Sequence, residues 1–216
     1  MGYLFLFTFA FFTVWHLIAS LKQNEDNRKF SKGFILFSLM AFYIAIVPSP
    51  SIIVFLAIFF SWVGDLFLIP RGNKWIAMGG SSFMISHILF MISYIVRTTF
   101  KPYAFVYFIC FGLIYLVIIL VLSKRLKQVV PKVLFIPLIV YLMINGTMNT
   151  FAIYRFISDI GFASLITMVG AILFFISDVV LFFVRYDENF LLKTHFAVML
   201  TYSLGELLIV VGLMII

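Results

Sequence analysis

The stretch that decides the fold is IFFSWVGDLFLIPR, residues 58–71. It reads as the end of a membrane helix, yet Asp65 stands inside it with no neighbouring basic residue to neutralise it. A second run, GAILFFISDVVLFFVR at residues 170–185, repeats the arrangement with Asp178. A carboxylate facing lipid costs at least a few kcal/mol, so both acids are expected to face the interior of a helical bundle.

The rest of the chain supports that reading. Of 216 residues, 65% are hydrophobic and 11% charged, with a strongly positive mean hydropathy. No water-soluble domain of this size needs so much apolar surface, so the chain is read as one integral-membrane domain, residues 1–216. The apolar runs are continuous rather than alternating, which excludes a barrel and predicts an all-α, polytopic bundle. The first run, residues 2–19, lacks both a preceding basic segment and a small-residue cleavage site, and is read as a retained helix. The single cysteine, Cys110, excludes an intrachain disulfide and is expected to be a small core residue. The formal charge of +7 does not point to nucleic acid, because the basic residues punctuate the apolar runs instead of forming one patch.

Breaks such as VPSPS, PRGNKW and SKRLKQVVPK predict about eight spans, at residues 2–20, 33–47, 51–69, 75–96, 102–122, 133–154, 161–184 and 194–216. Twelve of the 15 Lys and Arg residues fall in the odd-numbered loops; only Arg97, Lys101 and Arg155 fall in the even ones. The positive-inside rule therefore puts the odd loops in the cytoplasm and both termini outside, in the cytoplasmic membrane if the source is bacterial. GDLFLIPR and SDVVLFFVR lie four helices apart, which leaves open a weak four-plus-four duplication.

Depth follows from the helical rise of ~1.5 Å per residue. Asp65 precedes Arg71 by six residues and Asp178 precedes Arg185 by seven, placing both about 9 to 10 Å into one leaflet. His16, Ser81 and Ser82 fall at a similar level. His87, Asn145 and Glu206, counted from Lys74, Lys132 and Lys193, form a second layer near ~20 Å. His195, Met199, Tyr202 and Glu206 line one face of the last helix, and Tyr141, Asn145 and Asn149 one face of the sixth. The expected result is a polar cavity open to the cytoplasm and closed on the other side. Ser, Asn and single His residues in such helices are read first as interhelical packing and hydrogen-bonding groups. Intramembrane acids are read first as functional.

Two carboxyls sharing a buried site tend to hold one proton between them. One then serves as general acid and the other as base or charge stabiliser, the division of labour glycosidases apply to acid-labile C–O bonds. Three further readings stay open. The acids of a proton-coupled carrier would form a relay of Asp65, Asp178 and Glu206. A metal hydrolase would use His16, His87 or His195 with an Asp, although no His pair has short metal-ligand spacing. An inactive relative of an enzyme is the third.

SWVGDLFLIP, MGGSSFMISHILFMISY, GAILFFISDVVLFFVRY and TYSLGELLI together resemble the lysoplasmalogenase (YhhN-like) family of membrane proteins, over the chain from about Lys32 to Ile209. The resemblance implies hydrolysis of the vinyl ether bond of a lysoplasmalogen to a fatty aldehyde and a glycerophospho-base. It implies Asp65 and Asp178 as the catalytic acids, with Ser82, His87, Ser177 and Tyr202 as supporting polar positions. Lys32 matches a basic residue at the start of the family's second span, although Gly33 follows where Pro is expected. Glu206 stands where Gln is expected and is kept as a supporting group. Lys32 and Arg185 are expected to attract the headgroup phosphate. The partners so implied are a lysophospholipid substrate and membrane lipids, with no cofactor, metal or nucleic acid; a homodimer is left open.

Overall fold

The computed structural model describes residues 2–191 and 195–215. Lys193, counted above among the loop charges and as a depth marker, lies outside the described residues, as do the first residue of the last expected span and Ile216. Eight helices account for nearly all of the rest: α1 (Gly2–Leu21), α2 (Glu25–Ile46), α3 (Ile52–Phe67), α4 (Asn73–Val96), α5 (Ala104–Val129), α6 (Lys132–Ser158), α7 (Phe162–Tyr186) and α8 (Phe196–Met214). Seven are long and apolar enough to cross a membrane; α3, at 16 residues or ~24 Å, is the short one.

The largest departure from expectation is α2, which begins at Glu25 rather than at residue 33. The charged segment NEDNRKFSK looks like a loop by composition but carries its own helix-starting chemistry. Asn24 accepts a hydrogen bond from the Asn27 amide at 3.0 Å, and Glu25 and Asp26 put negative charge on the first turn. Glu25 also pairs with Lys29 one turn on, at 3.5 Å. Lys32 thereby sits well inside a helix, and Arg28 lies one turn before it on the same face.

The helices close a ring in the order α1, α2, α3, α4, α6, α7, α8 and back to α1, with α8 also touching α2 and α3. Helix α5 stands outside this ring against α6 and α7. The two halves are thus packed differently: α1 seals the ring between α2 and α8, whereas its counterpart α5 does not enter it. Most of the α5 surface faces outward, including Leu113, Val117 and Val121. Cys110 shares that fate: it is exposed, not a core residue, because the helix that carries it has lipid on most sides.

The closest helix pair is α7 with α8. A Cβ on Gly205 would come within 2.9 Å of the Gly170 carbonyl oxygen and 3.0 Å of the Phe174 amide nitrogen, so the two backbones touch there. Gly64 lets the Phe83 ring of α4 pack directly on the α3 backbone, since a Cβ there would stand 2.7 Å from that ring. These contacts fix the helices carrying Asp65 and Asp178 against their neighbours. At the end away from the basic loops, Tyr43, Phe90, Tyr94 and Ile209 fill the ring and Arg97 donates to the Leu213 carbonyl at 2.7 Å.

Candidate active site

A cavity of about 490 Å³ opens at the end of the bundle where the first, third and seventh loops meet. That volume is in the range of small-molecule sites. Asp65 and Asp178, both nearly fully buried, lie on its wall together with Lys32, Arg28, Arg185 and Tyr202. The depth count from the sequence put the two acids at one level; the ring turns them toward the same space.

Asp65, in the last turn of α3, is held on both oxygens. Lys32 Nζ lies 3.1 Å from Oδ1, and the Tyr202 hydroxyl donates to Oδ2 at 2.9 Å. No basic residue neighbours Asp65 in the sequence, and its cation comes instead from α2, distant in sequence and adjacent in the ring. Lys32 borders the cavity with its ammonium paired to Asp65.

Asp178, in the middle of α7, has different company. Tyr141 and Asn145, one turn apart on α6, donate to Oδ2 at 2.5 Å and 2.6 Å. His87 Nε2 stands 3.1 Å from the Tyr141 hydroxyl and 3.5 Å from Oδ2. All these contacts converge on one oxygen, leaving Oδ1 without a partner among the described residues. Between the two clusters lie aromatic rings: Phe174 packs edge-on against His87 at 4.7 Å and against Tyr202 at 5.2 Å. The interior-facing stripe of α6 therefore holds Asp178 through Tyr141 and through Asn145, the latter read from sequence first as a packing group.

The other expected site residues divide. Ser177 is on the cavity wall, and its hydroxyl donates to the Val198 carbonyl at 2.9 Å, tying α7 to α8. Ser82 donates to the Phe60 carbonyl at 2.6 Å, ties α3 to α4 and is not on the wall. Glu206 is fully buried beyond the wall, and neither carboxyl oxygen has a hydrogen-bond partner among the described residues. Arg185 is on the wall as expected. His16, bonded to Ser31 at 3.0 Å, and His195 border the mouth. His195 stands just outside the span; burial, then the charges of Arg28 and Lys32, hold its pKa down to about 4.

Arg28 is the residue the sequence reading missed. Its Nε is buried without a partner among the described residues, and it faces the cavity. Glu25 is taken up by Lys29 and Arg71, and Asp65 by Lys32. Arg28 and Arg185 are left as guanidiniums at the mouth with no carboxylate of their own among the described residues. Among those residues, no group of three or more His, Cys, Asp or Glu is placed to hold a metal ion.

The fold and site define a polytopic helical membrane protein with two unlike carboxylates on one cavity wall. The model of the YhhN family matches residues 27–213, so the chain belongs to the YhhN family, which includes lysoplasmalogenases. No curated protein and no solved structure matches the chain. The family match takes in Arg28, Lys32, both acids and every donor to them described above.

Proposed function

We propose that this protein is a lysoplasmalogenase-type hydrolase, cleaving the vinyl ether of a 1-alkenyl glycerophospholipid to a fatty aldehyde and a glycerophospho-base. One observation carries the reading: two buried acids on one cavity wall differ in which oxygens are engaged. Asp65 has a cation on one oxygen and a hydroxyl on the other, contacts that hold both oxygens in place for a charge-stabilising role. Asp178 has both donors on Oδ2 and a bare Oδ1, the atom that can carry a proton toward substrate.

The chemistry then balances without further groups. Asp178 Oδ1–H gives its proton to the vinyl carbon distal to the ether oxygen, and the carbon bearing that oxygen becomes an oxocarbenium centre. Asp65 stabilises this cation and takes a proton from the water that attacks it. As the hemiacetal collapses, its hydroxyl proton goes to Asp178 and the proton on Asp65 goes to the departing glycerol oxygen. Both acids return to their starting states. Arg28 and Arg185 suit the phosphate at the mouth, since guanidinium binds phosphate bidentately. The positive-inside pattern of the loops supports a mouth on the cytoplasmic side.

The test is aldehyde release by the purified protein from a lysoplasmalogen, beside the ester lysophospholipid of the same chain and headgroup. Wild type should cleave the vinyl ether alone, and Asp65→Asn and Asp178→Asn should each lose ~10²–10⁴-fold in rate. Rates unchanged in both variants would sink the paired-acid mechanism. A wild type that cleaves neither lipid but moves protons across liposomes would install the carrier in its place.

A further inference from the structure

A second, smaller pocket adjoins the first. It lies between α4 and α6 over α7, and its lining is almost wholly apolar. Ala77, Gly80, Ser81 and Met84 supply the α4 side, spaced i, i+3, i+4 and i+7 on one face. Leu134, Pro137, Leu138 and Tyr141 supply the α6 side with the same spacing. Ala77, Ser81 and Pro137 are exposed on the outside of the bundle, so the pocket is the floor of a groove that opens toward lipid.

Its inner end meets the candidate active site in two ways. Ile76 and Tyr186 line both the groove and the main cavity. Tyr141, at the bottom of the groove, is the residue whose hydroxyl holds Asp178. The Tyr186 hydroxyl, at the junction, is buried without a partner among the described residues. Gly80 keeps the groove open: a Cβ there would meet nothing within 4 Å.

We propose that the groove between α4 and α6 takes the hydrocarbon chain of the substrate, letting it stay in lipid while the vinyl ether reaches Asp178. The proposal rests on the reading of the protein as a hydrolase of amphiphiles. The main cavity has charged groups along its mouth and is a poor path for a long alkyl chain. The groove supplies a side entrance whose polar end, at Tyr141, is one hydrogen bond from Asp178. A chain there leaves the headgroup pointing to the mouth, where Arg28 and Arg185 stand.

The test separates this from the reaction itself. A non-hydrolysable 1-O-alkyl glycerophosphocholine with a diazirine at the chain end is photolysed with the detergent-purified protein, and the crosslinked peptides are mapped. Crosslinks should fall on α4 from Ala77 to Met84 and α6 from Leu134 to Leu138, and should drop at least 5-fold in Gly80→Phe but not in Gly80→Ala. Crosslinks on other helices, or labelling undiminished in Gly80→Phe, would overturn the proposal. So would equal competition by an ordinary diacyl phospholipid, since the groove would then be a general lipid contact. This readout needs no turnover, so it stands even if aldehyde release fails. With turnover, Gly80→Phe should lose at least 10-fold on a long-chain vinyl ether and keep its rate on a short-chain, water-soluble one. Equal loss on both would mean a packing defect and overturn the chain assignment.

Discussion

Lys32 on α2 and Asp65 on α3 form the ion pair that fixes the charge of the site, with Nζ 3.1 Å from Oδ1. The pair is possible because α2 starts early enough to carry Lys32 down beside the last turn of α3. Breaking a buried pair leaves a charge uncompensated at ~3–5 kcal/mol; Lys32 still reaches the cavity, so Lys32→Met should cost about 2–4 kcal/mol. It should also lower kcat by ~10²-fold. In the Asp65→Asn background the stability cost of Lys32→Met should nearly vanish, as a double-mutant cycle on thermal unfolding in detergent would register. Additive costs would show that the two side chains are not coupled.

In the proposed mechanism Tyr141 and Asn145, which donate to Asp178, act through it as positioning residues. Each removes a donor from a buried carboxyl when truncated, worth ~1–3 kcal/mol. Tyr141→Phe and Asn145→Leu should therefore lower kcat ~10- to 100-fold while leaving KM for the vinyl ether within a factor of about two. A rise in KM with unchanged kcat would mean that the Tyr141 hydroxyl and the Asn145 amide bind substrate instead of holding Asp178.

The sequence made the bundle legible because hydropathy and loop charge are local signals: the spans expected at 2–20, 51–69, 75–96, 133–154 and 161–184 match helix ends to within four residues, while α5 runs seven residues past its expected end at 122. It failed at α2, where charge density suggested a loop and the Asn24 cap, with acidic residues behind it, says helix. That failure hid Arg28 and the Lys32 to Asp65 pair together, since both depend on the helix starting at Glu25. A depth count can put Asp65 and Asp178 at one level, but it cannot say that Asp178 uses only one oxygen. That follows from α6 lying between α4 and α7, a tertiary fact with no local trace. Glu206 illustrates the reverse: its stripe with Tyr202 was legible, yet one further turn along α8 takes it past the cavity wall into the packed interior.

Under the proposed reaction, Arg28 and Arg185 at the mouth would select for a phosphate-bearing headgroup. Arg28→Gln and Arg185→Gln should each raise KM about 10-fold, or ~1.4 kcal/mol, for a phosphate-bearing vinyl ether. On a 1-alkenyl glycerol lacking phosphate the same variants should behave as wild type. Michaelis kinetics on the two substrates check this, and equal losses on both would assign the arginines to the structure of the mouth.

The contact of Gly170 with Gly205 leaves no room for a side chain between α7 and α8. Gly205→Val puts side-chain atoms where the α7 backbone already lies, and overpacking of this kind costs ~1–3 kcal/mol or more. The expected outcome is a lower unfolding temperature and loss of activity, because α7 carries Asp178 and α8 carries Tyr202. Gly80→Ala, with open space before it, serves as the control and should be neutral or slightly stabilising. Equal behaviour of the two variants would mean that the α7 and α8 backbones do not touch.

His195 gives the site a pH dependence of determined sign. Burial lowers its pKa from 6.5 to about 4, helped by Arg28 and Lys32 from α2 and Arg185 from α7 and opposed by Glu25. The unfolded chain takes up the proton as the pH falls through 6.5, while the folded protein resists until about 4. Stability contributed by a neutral His195 is therefore complete above about 6.5, declines as the pH falls toward about 4, and changes no further below that. His195→Gln cannot be protonated and removes this slope. Thermal unfolding of both proteins across this range should show the variant gaining on wild type as the pH drops. A gap that stays constant with pH would mean that His195 is as well solvated in the folded protein as in the unfolded chain.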